Sequence, residues 1–113
     1  MAKDLEQRTK QFSLDLVAFS ASLPRTREAD ILGRQLLRSG TSIGANYREA
    51  NRGVSRADFA NKIGIVQKEA SETQYWLELF IESDILKTPP AALEQEIAEL
   101  LAIFSAIGKK LKE

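Results

Sequence analysis

The sequence contains no cysteine and no histidine. The first absence excludes disulfides, thiolate nucleophiles and thiolate metal ligands, and it suits a reducing compartment. With histidine missing as well, nucleophilic triads of the familiar kinds are unavailable, and a lone Ser or Lys has no recognisable base at a fixed spacing. Net charge is absent too: 16 Lys plus Arg balance 16 Asp plus Glu, so no global field draws the chain to nucleic acid or anionic lipid, and any such attraction must be local. Long hydrophobic runs are missing. The most apolar early stretch, Phe12 to Leu23, contains Asp15 and is too short to span a bilayer. A mature cytoplasmic protein with no membrane partner is the expectation. No internal repeat, low-complexity tract or linker interrupts the 113 residues, of which 43% are apolar and 28% charged, a composition that supports one core and one domain.

Carboxylate chemistry is the remaining catalytic possibility. The pairs Glu69/Glu72, Glu78/Glu82 and Glu96/Glu99 could each project from one helical face. A four-helix di-iron site, however, needs Glu-x-x-His pairs pointing inward, and the histidines do not exist here. No catalytic residue, cofactor, metal ligand or small-molecule substrate is expected, and the chain is read as a non-enzyme.

What is present is helical periodicity. Leu5, Thr9, Phe12, Leu16, Phe19 and Leu23 recur on a heptad-like spacing, which predicts a first helix from about Asp4 to Leu23, stopped by Pro24. Thr26 is a usable N-cap for a second helix running to about Arg52 and Gly53, with Glu28 and Asp30 in the first turn where the helix dipole favours acid. Its stripe is Leu32, Leu36, Ser39, Ile43, Asn46 and Ala50, so two of its positions are polar. Ser55 with Asp58 reads as a capping box for a third helix reaching about Ser83, with Phe59, Ile63, Val66, Ala70, Thr73, Leu77 and Phe80 on its seam. Thr88 and Pro89 supply an N-cap and an N1 proline for a fourth, carrying Leu93, Ile97, Leu100, Phe104, Ile107 and Leu111. Short connections force consecutive helices to run antiparallel. The predicted fold is all-α, an antiparallel up-and-down four-helix bundle.

Several surfaces on this bundle carry information. On a helical wheel Arg27, Arg34, Arg38, Arg48 and Arg52 fall within roughly 80°, a basic ridge on the order of 37 Å long that could follow several phosphates of a nucleic acid or could simply be solvated. Acid collects elsewhere, at Glu69, Glu72, Glu78, Glu82 and Asp84 and at Glu94, Glu96 and Glu99. Segregated charge on one molecule suits a head-to-tail contact between copies, and such contacts close into rings when the rotation permits. Tyr75, Trp76, Leu77, Leu79, Phe80 and Ile81 surround nearly the whole third helix, whereas one core needs one face. The excess marks Tyr75, Trp76 and Leu79, with Glu72 a turn away, as a candidate oligomer interface. Gly33, Gly40 and Gly44 cluster beside the core stripe of the second helix and indicate either close approach by another helix or a kink. The hairpin between the second and third helices aligns Asn46 with Lys62 and Ser39 with Glu69. With Glu49 about one turn from Lys62 across the same boundary and Arg38 within reach of Glu69, these six residues form a candidate interhelix polar strip. Asp58 and Lys62 make a further i,i+4 pair.

The run Arg38-Ser39-Gly40-Thr41-Ser42-Ile43-Gly44-Ala45-Asn46, then Glu49-Ala50-Asn51-Arg52, Ser55, Asp58-Phe59 and Lys68-Glu69-Ala70-Ser71-Glu72-Thr73, resembles the small four helix bundle protein family related to proteins encoded in intervening sequences of large-subunit ribosomal RNA genes. The likeness covers essentially the whole chain. Its most specific part is Ser42, Ile43, Asn46 and Glu49 followed by Ser55, Asp58 and Phe59. The resemblance implies an up-and-down bundle assembling as a ring, commonly a pentamer. It also implies kinship with accessory proteins of diversity-generating retroelements, which contact reverse transcriptase and nucleic acid. The expected partners are therefore other copies of the chain and, as the alternative, a nucleic acid or ribonucleoprotein.

Overall fold

The computed structural model describes residues 2–113 as four α-helices: α1 (Ala2–Ala21), α2 (Arg27–Asn51), α3 (Arg56–Glu82) and α4 (Ala91–Leu111). They form a slender bundle of 45 × 21 × 21 Å with no β-strand among the described residues. Sequential neighbours pack together, α2 and α3 most extensively, while α4 closes the bundle on α1 along a sparse seam. The arrangement is the predicted up-and-down one.

Capping chemistry explains most of the helix boundaries. Thr26 is extended, and its side chain accepts from the Ala29 N–H, one of the donors that a helix start leaves unpaired. Ser55 does the same for the Asp58 N–H at 3.0 Å, and the Asp58 carboxylate in turn accepts from the Val54 N–H at 3.3 Å. Besides the earlier start of α1 at Ala2, two boundaries differ from expectation. The first helix ends at Ala21 rather than Leu23, because the Ser22 and Leu23 N–H groups turn back to the Phe19 and Ser20 carbonyls in three-residue steps before Pro24 is reached. The fourth helix is capped by Pro90, not by Thr88, with no side-chain bond at all. The second proline of the pair occupies the half-helical position, and the Glu94 N–H donates to its carbonyl.

The predicted seams meet in one core. Phe12, Leu16, Leu36, Ile43, Ala50, Ile63, Val66, Ala70, Leu77, Phe80, Ile97, Leu100 and Phe104 are all buried. Tyr47 joins them although the sequence pattern did not mark it, and Leu32 and Asn46 are only half-buried. Helices on opposite corners do not approach each other through their backbones. Aromatic rings bridge both diagonals instead. Phe19 of α1 meets Phe80 of α3 at 5.5 Å between ring centres and 89°, and Tyr47 of α2 meets Phe104 of α4 at 5.2 Å and 66°. Both are the edge-to-face geometry that ring quadrupoles favour.

The small residues of α2 face α1. A Cβ built on Gly40 would overlap Leu16 Cδ1, and one on Gly44 would stand 3.3 Å from the Thr9 carbonyl oxygen. Close helix approach therefore accounts for these glycines, and α2 is one continuous helix from Arg27 to Asn51.

Candidate functional site

At the α2/α3 boundary the expected Arg38–Glu69 and Glu49–Lys62 contacts form, whereas Ser39 and Asn46 find other partners than those expected. Ser39 is buried, and its hydroxyl is hydrogen-bonded to that of Thr73 at 2.9 Å, while the Thr73 hydroxyl donates to the Glu69 carbonyl oxygen at 2.7 Å. Glu69 meets Arg38 as expected, with Nη1 at 3.6 Å from its carboxylate, and the same guanidinium bonds the Glu72 carboxylate. Lys62 donates to Glu49 at 2.7 Å. Asn46 does not reach Lys62: its amide donates to the Ser42 carbonyl in its own helix. The Asp58–Lys62 pair also gives way, because Asp58 is spent on the α3 start and Lys62 crosses to α2. The shift has a simple cause. Thr73 lies one turn beyond Glu69 on the same face, so the small hydroxyls meet in the dry centre and the long charged chains reach around them at the edge.

Each arginine of the ridge has a carboxylate of the same chain beside it. Arg27 lies 4.0 Å from Glu28 and Arg34 lies 3.2 Å from Asp30, Arg38 turns to α3, and Arg48 and Arg52 stand 3.8 and 3.5 Å from Glu6 of α1. The ridge therefore splits between two interhelix boundaries. Its N-terminal members remain open to solvent, with the Arg27 and Arg34 side chains 83% and 79% exposed, and exposed pairs of this kind contribute little to stability.

A second electrostatic clasp joins the sparse α1/α4 seam. Arg8 donates through Nε and Nη2 to the two oxygens of Glu96 at 2.7 and 2.8 Å and reaches Glu99 at 2.6 Å. The fork geometry suits a guanidinium, whose charge these carboxylates lock in. A hydrogen bond from Gln95, then one from Arg8, holds the Glu99 carboxyl below the usual value of 4.5. Asn51, more than the nearby Arg52 and Arg48, lowers Glu6 in the same direction against a smaller opposing effect of burial. Depressed carboxyls stabilise the fold above about pH 4.5 and lose that contribution as the pH falls through their folded-state values. Urea midpoints are accordingly expected to fall in acid. The Glu6→Gln, Glu99→Gln double variant should lower the midpoint near neutrality and flatten the acid limb; an acid limb as steep as the wild type's would rule these two groups out as its source.

On the outer face of α2 and α3 lies the apolar surface. Tyr75 and Ile31 are each 53% exposed, and Leu79 is half-buried. Ile31, Leu32, Leu79 and Ile85 line a groove of about 580 Å³ edged by Glu28, Glu82 and Ser83. The other two residues of the expected interface are largely used within the chain. Trp76 packs on the core and donates its indole N–H to Glu72 at 3.0 Å, and Glu72 also holds Arg38. Tyr75 sits edge-on to the Trp76 ring at 5.2 Å. Ile31 escaped sequence reasoning because it lies off the α2 stripe, and only the pairing with α3 places it beside Leu79. A second exposed stripe was missed for the same reason: Leu14 and Val17 stand on the outer side of α1, 53% and 51% exposed.

Among the described residues no group of three or more Asp or Glu side chains is placed to hold a metal, and no helix is long and apolar enough to cross a membrane. The model of the 23S rRNA-intervening sequence protein family matches residues 3–112. The chain is 36% identical to a protein with unknown function from the S23 ribosomal protein family of Bacteroides thetaiotaomicron VPI-5482. The crystal structure of that protein superposes with a TM-score of 0.86 over 96% of this chain and 99% of that one. No curated protein matches the sequence. With the family model spanning nearly every residue and a similar protein sharing the same bundle end to end, the chain belongs to the 23S rRNA-intervening sequence protein family.

Proposed function

We propose that the protein is a non-enzymatic scaffold or adaptor that works as an assembly of its own copies, a ring of five being the form the family resemblance implies. The observation that carries this reading is the half-exposed Ile31 in an apolar groove with Leu79 that the chain itself does not fill, with the half-exposed Tyr75 one turn before Leu79 on α3. A surface of this kind on a small bundle is removed from water most simply by another protein surface, and another copy is always at hand. Light scattering after size exclusion tests it. The wild type should run as an oligomer at micromolar concentration, and Leu79→Glu should reduce its mass to that of one chain with the helical circular dichroism kept. A monomeric wild type sinks the reading.

A second reading, contact with RNA or DNA phosphates, is supported by the solvent-exposed Arg27 and Arg34 and by membership of a family named for 23S rRNA intervening sequences. It is the weaker one, because every arginine of the ridge already has an internal carboxylate partner. A mobility-shift titration against salt separates the two. Phosphate binding should weaken steeply with salt and vanish in the Arg34→Glu, Arg38→Glu, Arg48→Glu variant, whereas a pure scaffold gives no shift even at low salt.

A further inference from the structure

The groove on α2/α3 has a counterpart on the same molecule. Along α1, Leu14, Val17 and Ala21 are exposed at spacings of three and four residues, which puts them on one stripe of the helix, and Lys10 extends that stripe by one turn. This stripe bears no acid. Asp15, the nearest carboxylate in sequence, accepts from Gln11 on a different side of the helix, and Glu6 is held by Asn51 with Arg48 and Arg52 nearby. The groove has the reverse chemistry: its floor is Ile31, Leu32, Leu79 and Ile85, its edge carries Glu28 and Glu82, and no basic residue lines it. An apolar ridge with a cation thus matches an apolar groove with two anions. Within one chain they cannot meet, since α1 and α3 occupy opposite corners of the bundle.

We propose that the Lys10–Leu14–Val17–Ala21 stripe of one copy packs into the Ile31/Leu79/Ile85 groove of the next, with Lys10 near the Glu28 and Glu82 carboxylates. The proposal rests on the self-assembly reading and specifies its contact. Two different surfaces meeting in this way make a head-to-tail interface, the type that closes into a ring when the rotation permits rather than stopping at a two-fold dimer. The charges set direction: groove against groove would bring Glu28 and Glu82 of two copies together, and stripe against stripe would oppose two Lys10 ammonium groups.

The absence of native cysteine makes the test clean. Leu14→Cys and Ile31→Cys both replace half-exposed side chains with a small apolar one, so each single variant should fold, and light scattering selects the protein concentration at which each is assembled before crosslinking. Treated with a short bismaleimide, each variant alone should remain uncrosslinked, while an equimolar mixture exchanged into common assemblies should give a covalent dimer of one copy of each. The Leu14→Glu, Val17→Glu variant should in parallel lose assembly as fully as Ile31→Glu. Crosslinking of Ile31→Cys to itself, no crosslink in the mixture, or intact assembly of the Leu14→Glu, Val17→Glu variant would each overturn the proposal while the wild-type oligomer still upheld self-assembly. A wild type that is itself monomeric removes both.

Discussion

Phe104→Ala and Phe80→Ala are each expected to cost about 3–5 kcal/mol of folding stability, read as a drop in urea midpoint at unchanged slope. Both rings are fully buried, and each is one member of an edge-to-face pair that spans a diagonal of the bundle. Removing either leaves a void that its neighbours cannot close easily, because the helices on that diagonal have no backbone contact through which to collapse. The lost pair geometry adds roughly 0.5–1.5 kcal/mol to the transfer cost. Against a total of about 5–15 kcal/mol for a domain of this kind, such a loss brings the protein near the edge of folding. Phe104→Leu, which keeps most of the apolar volume without the ring edge, should recover much of the deficit. A loss below about 1 kcal/mol for Phe104→Ala would mean that the α2/α4 diagonal is not sealed as described.

The second large effect is expected at Gly40. Any side chain there must displace Leu16, whose Cδ1 occupies the space the new Cβ would need and which is itself fully enclosed. Overpacking of this sort costs about 1–3 kcal/mol and outweighs the gain of up to about 1 kcal/mol that alanine brings to a helix interior. Gly40→Val presses additional methyl groups towards Leu16 and Thr73 and should reach the top of that range or pass it. Gly64 is the internal control. It sits exposed in the interior of α3, and a Cβ added there would meet nothing within 4 Å, so Gly64→Ala should stabilise by up to about 1 kcal/mol. Thermal or urea unfolding of the two alanine variants side by side checks the argument. If Gly40→Ala raises the midpoint as Gly64→Ala does, α1 is not held against α2 at the distance described.

The polar strip shows where reading the sequence reaches its limit. Helical spacing identified Arg38, Ser39, Glu49, Lys62 and Glu69 as belonging to the α2/α3 boundary, because a stripe adjoining a core is a property of one helix. Which residue meets which depends on the axial offset between two helices, and that offset is set by packing across the whole interface. A shift of one turn replaced the expected Ser39–Glu69 neighbours with Ser39–Thr73 and sent Asn46 back to Ser42. The arginine ridge has the same lesson on a larger scale. One helix supplies five arginines on one side, but α1 brings Glu6 to two of them and α3 brings Glu69 and Glu72 to a third.

By itself the sequence determined that the protein is an all-α bundle, where its helices begin on α2 and α3, and most of the side chains that form the core. These follow from local capping chemistry and from periodicity within single helices, both short-range properties. It also limited the available chemistry through the missing cysteine and histidine. Only the tertiary structure decided that Trp76 and Glu72 are spent inside the chain, that Ile31 and Leu79 share one groove, and that Leu14 and Val17 stand open on α1. Exposure is what remains after neighbouring helices have covered what they can reach, and it depends on the rotation and offset of every helix relative to the others.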